Sequence, residues 1–226
     1  MGRERIISFL KGHPVLMDVV SFFYNIFHSW SFIKYGIIGP LSCRGAFLNH
    51  VKIDIKGRGC KVSIGRRSRL NHCVLTLRGD SCVLVIKGGT TMINHTLLDM
   101  YRDHSSIIIG SSFSMEGGQI EAMDGKAITI GNNCMFSRDV SICNGDNHPI
   151  YVVGQPNEQV NLSADVSIGN HVWIGFHARV LKGVHIVDDV IIGSNALVTK
   201  SVDIPHSVYV GCPAKIIKQG VTWRRS

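Results

Sequence analysis

The sequence has few of the marks from which chemistry is usually read. It contains no G-x-S-x-G, no Walker A loop, no H-E-x-x-H, and no G-x-G-x-x-G between a strand and a helix. The common serine-hydrolase, P-loop, zinc-protease and dinucleotide-binding readings are therefore set aside. The cysteines at 43, 60, 73, 82, 134, 143 and 212 are odd in number and never spaced C-x-x-C. That pattern argues against a disulfide framework or a zinc site and points to a reducing cytoplasm. None of the eleven histidines shows ligand spacing with a carboxylate partner, so no metal is expected. No apolar run with a small-residue cleavage site follows Met1-Gly2-Arg3-Glu4-Arg5, so no signal peptide is expected. Charged residues make up only 18%, against 45% hydrophobic, which is a globular balance. The net charge of +8 suits a polyanionic partner: a nucleotide-bearing cofactor, an acidic glycan or a membrane surface. Nucleic acid is not favoured, because no basic platform is interleaved with aromatics.

What the chain does have is a period of six. From Ile168 to Asp203 the blocks open with Ile168, Ile174, Val180, Ile186, Ile192 and Val198. Their fifth places are Val172, Ala178, Val184, Val190, Ala196 and Val202. Six matches neither a helical face nor a sheet buried on one side. It fits a coil with three short flat faces, in which opener and fifth residue point inward and Gly or Asn takes the corners. Similar starts at Ile64, Ile86, Ile109 and Ile130 extend the pattern backward at a looser spacing, for six or seven rungs in all. Cys134 falls in a fifth place and reads as core filling.

Two segments break the rhythm. Between Pro14 and about Ile33, the residues Leu16, Val19, Val20, Phe23, Ile26, Phe27 and Trp30 recur at three and four, an amphipathic helix with Pro14 in its first turn. Asp18, Asn25, His28 and Lys34 interrupt it too often for a membrane span. Its apolar stripe is expected either to cap the open first rung or, helped by Arg3, Arg5 and Lys11, to touch a membrane surface. From 144 to 163, prolines, glycines and amides mark a loop expelled from one corner. The expected organisation is a helical cap over 1–40 and a β-helix domain over 41–226, with a tail from about 204.

Within that loop, His148 is the candidate base. Pro149 biases it toward an extended backbone, and Asp146 is placed to hold one ring nitrogen and leave the other free. In Trp173-Ile174-Gly175-Phe176 the glycine leaves room beside the backbone, and the Phe176 amide is a candidate oxyanion donor. Trp173 stands in an outward sixth place, for a ligand arm or for packing between subunits. Histidines at corner places, such as His171 and His177, read as solvated.

The run DNHPIY, then VSIGNHVWIG, VLKGVHI, VIIGSNALVTKSVDIP and VYVGCPAKIIK resembles the left-handed β-helix acyltransferases of the hexapeptide-repeat superfamily. Within that group the likeness is to the galactoside and maltose O-acetyltransferases, and most in look to the capsular polysialic acid O-acetyltransferases. It covers about Ile130 to Trp223. The resemblance implies an all-β, left-handed parallel β-helix and a homotrimer with sites between coils. It also implies transfer from acetyl-CoA to a sugar hydroxyl of a bacterial surface glycan. His148 would be the base, Trp173 would line the site, and the Phe176 amide would face the thioester carbonyl. Ser194 would line the pantetheine groove, and Thr199, Lys200, Lys215 and Lys218 would receive the adenine and phosphate end. Phe176 stands where the galactoside enzymes have a small residue, and Lys215 and Lys218 replace arginines common there. The alternatives are N-acetylation of an amino sugar nucleotide and a non-catalytic β-helix scaffold.

Overall fold

The computed structural model describes residues 12–36 and 39–225. Arg3, Arg5 and Lys11 lie outside the described residues. The described chain is a left-handed parallel β-helix with two short helices at one end. Its first face holds seven strands, from Leu41–Ser42 to His185–Ile186. The second holds nine, from Phe47–Asn49 to Lys215–Gln219. The third holds seven, from Lys52–Ile55 to Leu197–Val198.

The period of six is obeyed residue by residue. Ile168, Ile174, Val180, Ile186, Ile192 and Val198 are all buried in the prism, and so are the six fifth-place residues. In the last complete rungs Ile168 pairs with Ile186, a step of eighteen residues. Earlier rungs are longer: Leu41 pairs with Val62, Val62 with Leu84 and Leu84 with Ile107. The core there includes larger side chains such as Phe113 and Phe136, edge to face at 4.9 Å. Cys134 is core, and burial pushes its thiol up to about 11.

The corners correct one expectation. Positive φ falls on the fourth place of five of the six blocks: His171, His177, Gly183, Asp189 and Asn195. The second-place glycines do something else. A Cβ on Gly131 would lie 2.5 Å from the carbonyl oxygen of Gly169, one rung on, and one on Gly175 would lie 2.7 Å from the Ser194 nitrogen. Those positions are glycine because coils stack directly over them. Nor are the corner histidines simply solvated. His50, His72 and His95 stack in register, with centroids 4.8 and 5.1 Å apart. His171 bonds Asp189 through Nδ1 at 2.7 Å and lies under the Trp223 ring at 4.3 Å.

The N-terminal helices lie against the first rung with the expected face turned away. Helix α1 (Pro14–His28) begins with Pro14 and ends at Ser29, and helix α2 (Trp30–Gly36) follows. α1 meets the coil with its polar face. Ser21 accepts from the Gly45 amide, and Asn25 donates to the Ala46 carbonyl and accepts from the Leu48 amide. Ser29 donates to the Val51 carbonyl, and Ser31 of α2 accepts from the Ile53 amide. An open strand edge requires donors and acceptors before it requires apolar cover. Phe32 and Tyr35 of α2 join the core cluster at this end. The stripe expected to do so, including Val19, Phe23, Phe27 and Trp30, is left exposed.

Candidate active site

The coil is interrupted once by a long insertion, between Val140–Cys143 on the third face and Val166–Ile168 on the first. Its root is therefore the corner joining those faces. Buried Asn144 fixes both ends of the insertion: its side chain accepts from the Met123 amide at 2.8 Å, and its carbonyl accepts from the Ala164 amide at 2.9 Å. The expelled loop contains a short hairpin. Tyr151–Val152 and Gln155–Gln159 pair antiparallel around Gly154, whose φ is +81°.

Asn161 is the hub of this insertion. It donates to Asp146 Oδ2 and to the carbonyl of His148, each at 2.8 Å, and it accepts from the Ile150 amide at 2.7 Å. Lys182, from the next rung, donates to Asp146 Oδ2 at 2.6 Å and to the Asn161 carbonyl at 2.9 Å. The Lys182 ammonium, with Asn161, holds the Asp146 carboxyl below the usual carboxylate range. Asp146 is thus engaged by Lys182 and Asn161, not by His148 as the sequence suggested. The Lys182 ammonium makes a charge-assisted bond to that carboxylate. His148 is held through its backbone, with its exposed ring hydrogen-bonded to none of the described residues. Neither Asn161 nor Lys182 was singled out in the sequence. The amide-rich run NEQVNLS was the available signal for Asn161, and the third place of its hexapeptide for Lys182.

A second group lies elsewhere on the prism. Trp173 is half-buried on the second face, with Nε1 3.5 Å from Ser137 Oγ and its ring 6.5 Å from Trp223. Gly175, Phe176 and Ser194 meet at the corner between the second and third faces. There the Phe176 carbonyl accepts from the Asn195 amide at 2.8 Å. The Phe176 amide donates to none of the described residues, and its ring is 47% exposed. Lys215 and Lys218 are exposed on the last strand of the second face. Thr199 and Lys200 belong with His148, because the register Val180 to Val198 sets Lys200 one rung beyond Lys182. Within one chain, then, the loop root that carries His148 and the face that carries Trp173 are on opposite sides of the prism.

Segment 220–225, which sequence reading left as a basic tail, runs back along the corner between the first and second faces. The Val221 amide bonds the His206 carbonyl, and Trp223 Nε1 bonds the His171 carbonyl at 2.9 Å. Arg225 reaches Ser114 Oγ at 2.7 Å, the Cys134 carbonyl at 2.7 Å and the Ser112 carbonyl at 2.9 Å.

Residues 165–200 match the family of bacterial transferase hexapeptide repeats (six repeats). A polysialic acid O-acetyltransferase of Neisseria meningitidis is 40% identical over 177 residues, which span 78% of this chain and 81% of that protein. The chain belongs to the polysialic acid O-acetyltransferase family. Another member, from Escherichia coli O1:K1 / APEC, is 35% identical over 122 residues, covering 54% of this chain and 39% of that protein. The crystal structure of the polysialic acid O-acetyltransferase OatWY superposes with a TM-score of 0.63 at 28% identity, covering 82% of this chain and 92% of that one. That of the polySia specific acetyltransferase NeuO gives 0.64 at 24% identity and shares the fold, covering 78% of this chain and 90% of that one. Membership makes the chain an O-acetyltransferase of the hexapeptide-repeat type.

Proposed function

We propose that this protein moves the acetyl group of acetyl-CoA directly to a hydroxyl of a sialic acid-containing bacterial surface glycan. The observation that carries this reading is the 40% identity spread over 81% of the Neisseria enzyme. His148 acts as general base: its ring is exposed and unbonded to other described residues, while its carbonyl is tied to Asn161. It takes the proton of the acceptor hydroxyl as that oxygen attacks the thioester carbonyl. The free Phe176 amide donates to the oxyanion that forms there. When the C–S bond breaks, the imidazolium returns its proton to the departing sulfur.

The site is shared between chains. His148 and the Trp173–Phe176 group stand on opposite sides of one prism, so a neighbour's second face completes each site, and a homotrimer provides three such grooves. Ser194 lines the pantetheine arm, with Thr199 and Lys200 on one wall and Lys215 and Lys218 on the other for the phosphates. The unpaired cysteines support a reducing compartment, the cytoplasm, as the place of action.

The test is mass spectrometry of candidate glycans after incubation with isotopically labelled acetyl-CoA. A gain of one labelled acetyl on polysialic acid, absent from neutral glycans, is expected. Label appearing only on amino groups of sugar nucleotides would overturn the reading.

A further inference from the structure

The cap helix leaves an unusual surface. Because the polar side of α1 is spent on the edge of the first rung, its opposite side points away from the coil along the coil axis. That side carries Val15, Leu16, Val19, Phe23 and Phe27, and Trp30 follows at the start of α2. Phe27 is 80% exposed and Trp30 81%. These residues lie at a blunt end of the rod, and none of the other described residues covers them. The surface is also furrowed, since Val19, Phe22 and Phe23 wall a cleft of about 580 Å³ against Leu41 and Cys43.

Charge is distributed to match. Residues 1–70 hold twelve of the twenty-four Lys and Arg but only three of the sixteen Asp and Glu. The remaining residues hold twelve basic and thirteen acidic side chains, so the whole positive surplus belongs to the capped third of the chain. Of the acids near the cap, Asp18 is neutralised by Arg66 at 2.6 Å and Asp54 lies 3.7 Å from Lys56. Lys34 and Arg44 are exposed, and Arg44 lines that cleft with Val19, Phe22 and Phe23.

We infer that this capped end docks on an anionic lipid bilayer, with the aromatic and aliphatic face of α1 entering the interface and the basic first rungs facing the headgroups. An apolar helix face ringed by cations and containing Trp and Phe is the chemistry that an anionic interface recognises. A second copy is a poorer occupant, because end-to-end pairing would bring two positive collars together. A soluble polyanion would satisfy the collar and leave the apolar face wet. The coil would then stand upright on the membrane. The root of the His148 loop is four rungs above the first, or roughly 20 Å at the usual spacing between strands.

The test is co-sedimentation of the full chain with vesicles of phosphatidylcholine alone or mixed with phosphatidylglycerol. Binding to the mixed vesicles is expected, weakening as salt is raised. Phe27→Glu with Trp30→Glu should lower partition at least tenfold while thermal unfolding and acetyl transfer to a soluble acceptor stay as in the parent. Lys34→Glu with Arg44→Glu should weaken binding to the anionic vesicles only. The inference fails if the parent ignores both vesicles. It fails equally if the Phe27/Trp30 variant binds undiminished, in which case the collar serves a polyanion. A fall in the sedimentation coefficient of that variant without lipid would assign the face to a second copy and overturn it too. None of these outcomes depends on which glycan is acetylated.

Discussion

Lys182 Nζ stands 2.6 Å from Asp146 Oδ2, and this contact joins the expelled loop to a rung that the chain reaches thirty-six residues later. The ammonium also bonds the Asn161 carbonyl, so one side chain from the rigid coil holds both strands of the loop at the level of His148. If His148 is the base as proposed, the arrangement positions it through a side chain whose bonds go to the loop.

Lys182→Met should therefore lower turnover by roughly tenfold or more through misplacement of His148. Stability should change little, since a partly exposed pair is worth about 0.2–1 kcal/mol. Steady-state kinetics beside thermal unfolding would separate the two effects. Because the folded Asp146 carboxyl titrates below its ordinary range, the pair's contribution is present above the unfolded carboxylate pKa. It is lost only as pH falls through the depressed folded value. Loop pinning should thus persist in mildly acid buffer, and hydrogen exchange of the Ile150 amide should rise only in strong acid.

His148→Ala should reduce turnover by about a hundredfold to ten-thousandfold, the usual range for loss of a general base. Thioester binding, read by calorimetry with CoA, should stay near the parent value, because the imidazole acts on the acceptor. More than half of the parent activity remaining would remove His148 from the role.

Gly175→Ala should destabilise the coil. Its Cβ would lie 2.7 Å from the Ser194 nitrogen and 2.9 Å from the Gly193 carbonyl carbon, both backbone atoms of the next rung. Overpacking of this kind costs about 1–3 kcal/mol, and a lowered Tm is the readout. A variant with unchanged Tm would mean that the rungs can slide apart there at little cost.

The shared-site reading makes association obligatory for activity. Sedimentation should show a trimer, and specific activity should fall on dilution through the dissociation range. Mixing His148→Ala with Trp173→Ala chains should restore part of the activity that each lacks alone. No recovery in such mixtures would mean that each site is built within one chain and would overturn the shared-site reading.

The prism was legible in the sequence because its signal is repeated: from Ile168 to Val202 openers and fifth residues had to be small or aliphatic, and they are. The orientation of α1 was not legible. Its apolar stripe is the stronger pattern, but Ser21, Asn25, Ser29 and Ser31 carry the contact with the coil. Periodicity reports which face is greasy and is silent on an edge that asks for hydrogen bonds. His148 is a candidate drawn from its neighbour Pro149 and from its place in a break of the repeat. Its anchor Asn161 was missed because the two are joined only once the hairpin between them has formed.

Arg225 touches Ser112, Ser114, Asn133 and Cys134, partners made about a hundred residues earlier. A solenoid otherwise grows by contacts between adjacent turns, so most of this coil can assemble rung upon rung while the ribosome is still working. The clasp at Arg225 is different. It closes over turns that have long since emerged, and it adds the slow, long-range step that raises the contact order of an otherwise local fold. Until synthesis has passed that arginine, the middle rungs wait with an open flank.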